Sequence, residues 1–556
     1  MFSLEEKYLN KLNQYNGYGK KIGHMKRSDL ALDNEFVFFG KFDPVKFDEE
    51  INWNYKHNHA RATYQVYLHC LHMVRYLTNS YLVKKEEKYL IKAKEVIEQW
   101  LNDKNNQSFE TKNSAWKDHS AASRMKNIIY YQINVPEKFK IDENVFEETV
   151  KKHCEFLSMK EHYSENNHGM MSDEALLFLS NFITDKNVSD MFQEKAILRM
   201  ERIIYKLFSS QSYNLENSPE YHRLTQNLST RFIRLIDLMG LEFDITCRKI
   251  IEKSFLNNRK IVKPDLSYPL IGDTGLYVAS FEKDYSNFVD YQAGLAIINT
   301  KNKESIKESS WLSFKSGYLL TSHKHHDDLS INYFYEGEDI LIDSGKYTYD
   351  RRNPKRTFVS SPQGHSSIYK MNTKYELTDV VYDVDKMKTN FVYENKEYTH
   401  FAGINHLYDG IEIYRDVIYF ESQGFLIIDR YLSDERQFMG QNFNLHPDIT
   451  VKENDNNEFA LETEKGKSLI LKEHTDRTLN KYFSKDNEER GFYSEKFNVL
   501  LDTHQIEFRK NNVNSTFITS LFDLNKSDLK DIDYDKHSIS FNFNNQEYRV
   551  LLQPID

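Results

Sequence analysis

The fold class this sequence predicts is α+β with more than one domain: helices gathered in the N-terminal half, antiparallel strands stacked as a sandwich in the C-terminal half. Three observations predict it. The 556 residues exceed what one ordinary core organises and suggest two or three domains. From about His57 to Phe255, apolar residues recur at the spacing of amphipathic helices. Past Phe255 that period fades, and strand-like runs follow one another between turn residues, as antiparallel sheets packed face to face require.

Phe36 to Trp53 is aromatic and irregular, with short strand or loop character. Ala62, Val66, Cys70, Met73 and Leu77 then form one helical stripe, and Leu90, Ala93, Ile97 and Leu101 another. Further helical runs cover Val145 to Leu157, Asp173 to Thr184, Asp190 to Phe208 and Arg223 to Met239, and antiparallel neighbours joined by short loops are expected. The helical domain is thus placed at 1–262. Lys263 to Gly275, KPDLSYPLIGDTG, carries two of the nine prolines and reads as an interdomain linker. The β domain, 276–556, has strands expected at Leu295 to Ile298, Trp311 to Ser316, Ile411 to Phe420 and Phe425 to Tyr431. It closes with Ile539 to Phe543 and Tyr548 to Leu552 around Asn544 and Asn545. The acidic and Asn-rich stretches near Asn454 and Asp486 read as solvated loops.

A net charge of −10 argues against general nucleic-acid binding, which needs a basic footprint. An aromatic content of 14% supplies the faces a sugar-binding cleft needs, although a Tyr-rich composition gives the same count without one. Cys70, Cys154 and Cys247 are odd in number and far apart, so they read as buried thiols rather than a disulfide framework or a CxxC zinc site. MFSLEEKYLNKL lacks the apolar core of a secretory signal, and no apolar run reaches membrane-spanning length. The expectation is a soluble protein, cytoplasmic as written, or periplasmic or secreted if a leader was removed. Oligomeric state is not legible.

The densest chemistry lies in Thr321 to Tyr349, TSHKHHDDLSINYFYEGEDILIDSGKYTY. Leu329, Ile331, Tyr333 and Tyr335 alternate as in a strand, Glu336 and Gly337 make a turn, and Ile340 and Ile342 resume the alternation up to Asp343. Such a hairpin brings Asp343 back beside His325. Were the histidine segment extended, His323, His325 and Asp327 would share one face and His326 and Asp328 the other. Neutral imidazoles with a hard carboxylate suit zinc or a similar divalent ion. His365, in SSPQGHSSI, is the candidate for the further ligand.

Three clusters stand out among the helices. Asn166-Asn167-His168-Gly169 precedes a helix read as capped by Ser172. Ser218-Pro219-Glu220-Tyr221-His222-Arg223 opens a later one, with Pro219 and Glu220 as normal first-turn residues and Arg223 as a further candidate substrate contact. Trp116-Lys117-Asp118-His119, followed by Arg124, pairs an aromatic face with a guanidinium able to grip an acidic sugar, so Trp116, His119 and Arg124 are candidate substrate contacts. DRRNPKRT, after Tyr349, is a basic loop that could steer a polyanion, with Tyr349 and Arg352 as candidate contacts.

Together, a helical half with NNHG and PEYH and a β half with HxHxDxLS, DSGxYxY and a later histidine resemble the heparinase II/III family of polysaccharide lyases, including its alginate lyase relatives. The likeness spans nearly the whole chain. It implies an incomplete α/α toroid followed by antiparallel β-sheets, with substrate in the cleft between them. It further implies that Asn167 and His168 neutralise the uronate carboxylate and assist catalysis, that Tyr221 and His323 are catalytic, and that His325, Asp343 and His365 hold one structural Zn2+ per chain. His326 adds an imidazole to the family pattern, and PQGHSS differs from the HNT often found around the last ligand.

These residue types suit elimination. A lyase removes the weakly acidic proton at C5 of a uronate and expels the C4 oxygen. An amide such as Asn167, or a protonated His, can absorb the charge that develops on the carboxylate. His168, His323 or an ionised Tyr221 could take the proton. Tyrosine, with an ordinary pKa near 10, is a natural proton donor at neutral pH, and would need nearby positive charge, such as Arg223 and the imidazoles, to act as base. The expected function is β-elimination on a uronate-containing polysaccharide. A zinc-dependent glycan hydrolase and a non-catalytic binder of acidic glycans are the competing classes.

Overall fold

The structure is a computed structural model describing residues 4–17, 23–38, 42–58, 61–378, 384–455, 457–476, 478–485 and 490–555. The chain divides into two compact units: residues 1–206 with 225–251, and residues 207–224 with 252–556. Lys263 to Gly275 therefore lies inside the second unit, where Tyr268, Leu270, Ile271, Asp273 and Thr274 are buried. It is not an exposed linker.

The first unit is helical. Its elements are α1 (Glu6–Asn16), α2 (Gly23–Leu32), α3 (Arg61–His69), α4 (His72–Lys84), α5 (Lys88–Asn102), α6 (Asp118–Asn134), α7 (Glu143–Ser158), α8 (Asn167–Ser180) and α9 (Lys186–Leu207), with most of α10 (Pro219–Met239) and the start of α11 (Ile245–Ile261). The stripe from Ala62 to Leu77 is two helices, because Leu71 takes a left-handed φ of 52° that an α-helix cannot absorb. Helix α8 starts at Asn167, six residues before the run expected at Asp173: the side chain of Asn166 accepts from the amide of His168 and caps it, so Ser172 lies inside the helix. Among the described residues, α1, α2, α6 and α11 of this unit are additional to the helical runs expected, and α11 continues past Phe255 to Ile261.

The second unit is built of antiparallel sheets. Among the described residues, a five-stranded sheet (Phe288–Asp290, Leu295–Thr300, Ser310–Lys315, Ser330–Tyr335, Glu338–Leu341) and an eight-stranded sheet containing Ile411–Phe420 and Gly424–Ser433 share one apolar core. Along Ile411–Phe420, Ile413, Val417 and Tyr419 enter that core, while Ile418 and Phe420 pack on the opposite face against Ile539, Phe541 and Phe543 of a three-stranded sheet. Period two thus points alternate side chains into two different interiors. Asn544 and Asn545, at φ 52° and 65°, make the tight turn of the closing hairpin. Asn454 lies on an exposed strand, Thr450–Asp455, rather than in a loop; Asp486 and residues 39–41 lie outside the described residues. No described helix is long and apolar enough to cross a membrane. All three cysteines are free and buried.

Candidate active site

In the second unit, Ser218 and Pro219 open α10. The amide of Tyr221 donates to Ser218 Oγ, which lies 2.8 Å from Thr274 Oγ1. Asn217 donates its side-chain amide to the carbonyls of Leu320 and Ser322, at 2.6 and 3.2 Å. The start of α10 is thereby fastened to both the 272–275 turn and the loop leading into the histidines. Gly272, at φ +57°, makes the fit possible, since a Cβ there would sit 2.4 Å from the carbonyl of Asn217.

This arrangement stacks Tyr221 on His323, with ring centroids 3.4 Å apart and planes 20° off parallel. The Tyr221 hydroxyl lies 3.1 Å from that of Tyr349, whose ring is 48% exposed. Burial, then the neighbouring Tyr349, Asp273 and Glu220, pushes the Tyr221 phenol far above its ordinary value. Tyr349, also buried in part, is pushed up to about 12. Both phenols are protonated at neutral pH. Arg223 lies over the Tyr277 ring at 4.5 Å, and the charged groups raising the Tyr221 phenol are acidic. Acidic neighbours of this kind suit a phenol that donates a proton.

Asp273 gathers the histidine loop. It accepts from His323 Nδ1 at 3.1 Å, His325 Nε2 at 3.0 Å and Arg356 Nη1 at 2.7 Å. Burial alone would raise its carboxyl, but those hydrogen bonds and the Arg356 charge hold it well below the usual range. Next to it, Glu220 receives Lys346 Nζ on both oxygens at 2.7 Å, the Gly275 amide at 2.8 Å and the Tyr277 hydroxyl at 3.0 Å. The 321–328 segment is not extended: His323 has a left-handed φ of 56°. Asp327 turns away to pair with buried Lys324, which also holds Asp328 at 2.7 Å, and His326 lies against the carbonyls of Ser360 and Tyr375. His323 and His325 do share a side, held there by Asp273.

His325, Asp343 and His365 are 0%, 3% and 0% exposed, and they offer ligand atoms within 4.8 Å of one another. His325 Nδ1 and His365 Nε2 are buried atoms with no hydrogen-bond partner, a costly arrangement in a dry interior unless each meets something. His365 Nδ1 lies 3.0 Å from Asp343 Oδ2. Its loop is pinned by Asn442 on the His365 carbonyl at 2.9 Å, Ser344 on the Gly364 carbonyl at 2.7 Å and buried Arg415 on the Ser366 carbonyl at 3.0 Å. These residues fit a divalent cation.

In the helical unit, Asn167 and His168 form the first turn of α8. His168, with a 52% exposed side chain, has Nδ1 3.1 Å from Asp118 Oδ2 at the start of α6. Gly169 is required there, since a Cβ would meet the Ser164 carbonyl at 2.1 Å.

Residues 10–294 match the family described as Heparinase II/III N-terminus, and residues 289–530 match Heparinase II/III-like, C-terminal. The chain belongs to the heparinase II/III family. It is accordingly a polysaccharide lyase, with the family's incomplete α/α toroid followed by an antiparallel β-sandwich. Among solved structures, it is similar to a heparan sulfate lyase HepC mutant from Pedobacter heparinus, with a TM-score of 0.76, 16% identity, and 98% of this chain and 93% of that one covered. It is also similar to a structure titled heparinase III, with a TM-score of 0.80, 15% identity and coverage of 98% and 95%. No curated protein matches it in sequence.

Some residues expected at the site of this heparinase II/III lyase belong elsewhere. Arg124 is fully buried: its guanidinium lies 3.9 Å over Trp100 and donates to His153 and to the carbonyls of His69 and Ala115. Trp116, 6% exposed, donates to the Asn106 carbonyl at 2.7 Å. Both are core residues of the helical unit and cannot grip a sugar. His119 is half-buried beside Asp118. Arg352 is exposed and paired with Asp350, while Arg356 of the same basic run is spent on Asp273 within a short helix, α12 (Pro354–Val359). Sequence reasoning missed Asp118, Asp273, Lys346 and Arg356, and took Glu220 for an ordinary first-turn residue. A signal for Asp273 was present in GDTG, a polar tetrad between apolar neighbours.

Proposed function

We propose that this lyase cleaves a uronate-containing polysaccharide by β-elimination, leaving a C4=C5 unsaturated end. The observation that carries the reading is the stacked Tyr221–His323 pair, with a phenol held protonated beside an imidazole whose Nδ1 is tied to Asp273. In this reading the proton at C5 moves to His323 Nε2 and the C5–H electrons form the new double bond. The C4–O bond breaks, and the departing oxygen takes the Tyr221 hydroxyl proton. Solvent exchange restores both groups. The resemblance assigns charge neutralisation at the carboxylate to Asn167 and His168, a role in keeping with amides and imidazoles at a helix N-terminus. Tyr349 and Arg352 are exposed enough to meet an acidic polymer.

His325, Asp343 and His365 would hold one zinc ion, to which two imidazoles and a carboxylate are suited. The ion would cross-link the histidine loop to the loops carrying Asp343 and His365. Full burial of this set supports a structural role and disfavours hydrolysis, which needs a zinc-bound water open to substrate.

The test is incubation with a panel of acidic polysaccharides, heparan-like, alginate-like and bacterial capsular or exopolysaccharide, while following ultraviolet absorbance of the unsaturated product. Heparan-type polymers come first, since heparan sulfate lyases share the fold. Rising absorbance with new chain ends is expected. New reducing ends without absorbance would make the protein a hydrolase and overturn the reading.

A further inference from the structure

Asp273 touches two imidazoles with different tasks. Its Oδ2 meets Nδ1 of His323, and its Oδ1 meets Nε2 of His325 together with Nη1 of Arg356. Arg356 is itself held by the Lys346 carbonyl at 2.7 Å. An ionised carboxylate only accepts, so both ring nitrogens facing it carry the proton. A neutral imidazole has one such N–H. The lone pair must then be on Nε2 of His323, and on Nδ1 of His325, the buried atom with no hydrogen-bond partner.

We propose that Asp273 is a positioning residue that sets both tautomers at once, leaving His323 Nε2 bare for the substrate proton and His325 Nδ1 bare for the metal ion. One carboxylate thus couples proton abstraction to metal binding, with Arg356 fixing its orientation. The His323 half of this inference rests on the elimination reading above; the His325 half does not.

Asparagine in place of Asp273 is nearly isosteric but presents one accepting oxygen and one NH2. Three donors converge on the site, so one imidazole meets a donor and must change tautomer. If it is His323, the base is lost; if it is His325, the metal ligand is lost.

The experiment is 15N NMR of the zinc-loaded full chain labelled selectively at histidine, with the two rings assigned through His323→Gln and His325→Gln. Nδ1–H is expected for His323 and Nε2–H for His325, and the opposite tautomer at either ring overturns the proposal. This measurement uses the unaltered protein and decides the matter even if Asp273→Asn fails to fold. In Asp273→Asn, one ring should change tautomer. A changed His325 should weaken zinc binding, read by chelator competition, by 10–100-fold. A changed His323 should lower kcat about 100-fold or more with KM within about threefold. Unchanged tautomers, zinc affinity and kcat in a folded Asn variant would also refute it. Tautomers and zinc affinity need no substrate, so a protein inactive on every polymer but with both rings as assigned would lose the proposed function and keep this role for Asp273.

Discussion

Tyr221→Phe separates chemistry from structure. The substitution deletes one hydroxyl and keeps the ring, so the stack on His323, at a centroid distance of 3.4 Å, persists. The hydrogen bond lost to the half-exposed Tyr349 phenol 3.1 Å away is worth about 0.5–1.5 kcal/mol. In a chain of this size that displaces the thermal midpoint by about 2 °C or less. The catalytic loss is of another order. A general acid contributes roughly 100- to 10,000-fold, which is about 2.7–5.5 kcal/mol of barrier. Steady-state rates on whichever polymer the absorbance screen selects should show kcat reduced at least about 100-fold with KM little changed. Thermal melts run alongside should be nearly superimposable. A folded variant with kcat within about threefold of the parent would refute the donor role and with it the meaning given to the raised phenol.

Three further outcomes are expected. Purified protein should carry zinc, and chelation or His365→Ala should lower its melting temperature, since an ion at 100 times its dissociation constant stabilises by about 2.7 kcal/mol; metal-free parent protein with an unchanged melt would remove the ion. Arg124→Ala should destabilise the helical unit by about 3 kcal/mol, through unpaired carbonyls and a cavity under Trp100, while KM stays put; a raised KM at unchanged stability would return Arg124 to the substrate. Asp173, fully buried against Tyr163, has its carboxyl raised by burial to about 8, so its contribution is complete below the ordinary carboxylate pKa and is lost as pH rises through 8. The melting temperature of the parent should therefore fall relative to Asp173→Asn between pH 5 and 8, and parallel pH profiles would show that Asp173 is ionised in the folded state.

Legibility followed the range of the interactions. Ile411 to Phe420 and the Asn544–Asn545 hairpin were readable because alternation and turn preference are written in adjacent residues. The helix containing NNHG was readable as an element but not in its start, since both Asn166 and Ser172 can cap and only packing decides between them. Trp116 and Arg124 looked like a sugar grip because aromatic and guanidinium groups serve a binding face and a buried cation–π contact equally well.

By itself the sequence determined the helical and sheet halves and carried the family's motifs, and it named the His325, Asp343 and His365 set whose ligand atoms folding brings within 4.8 Å of one another, because motifs and short periods survive in linear order. Tertiary structure alone decided that Asp273 stands against histidines 50 and 52 positions away, that Lys346 and Arg356 brace the site, and that Arg124 is sealed in a core. The physical reason is that a carboxylate's partners are chosen by distance and burial in the folded chain, and contacts closed over loops of that length leave no periodic trace in the text that encodes them.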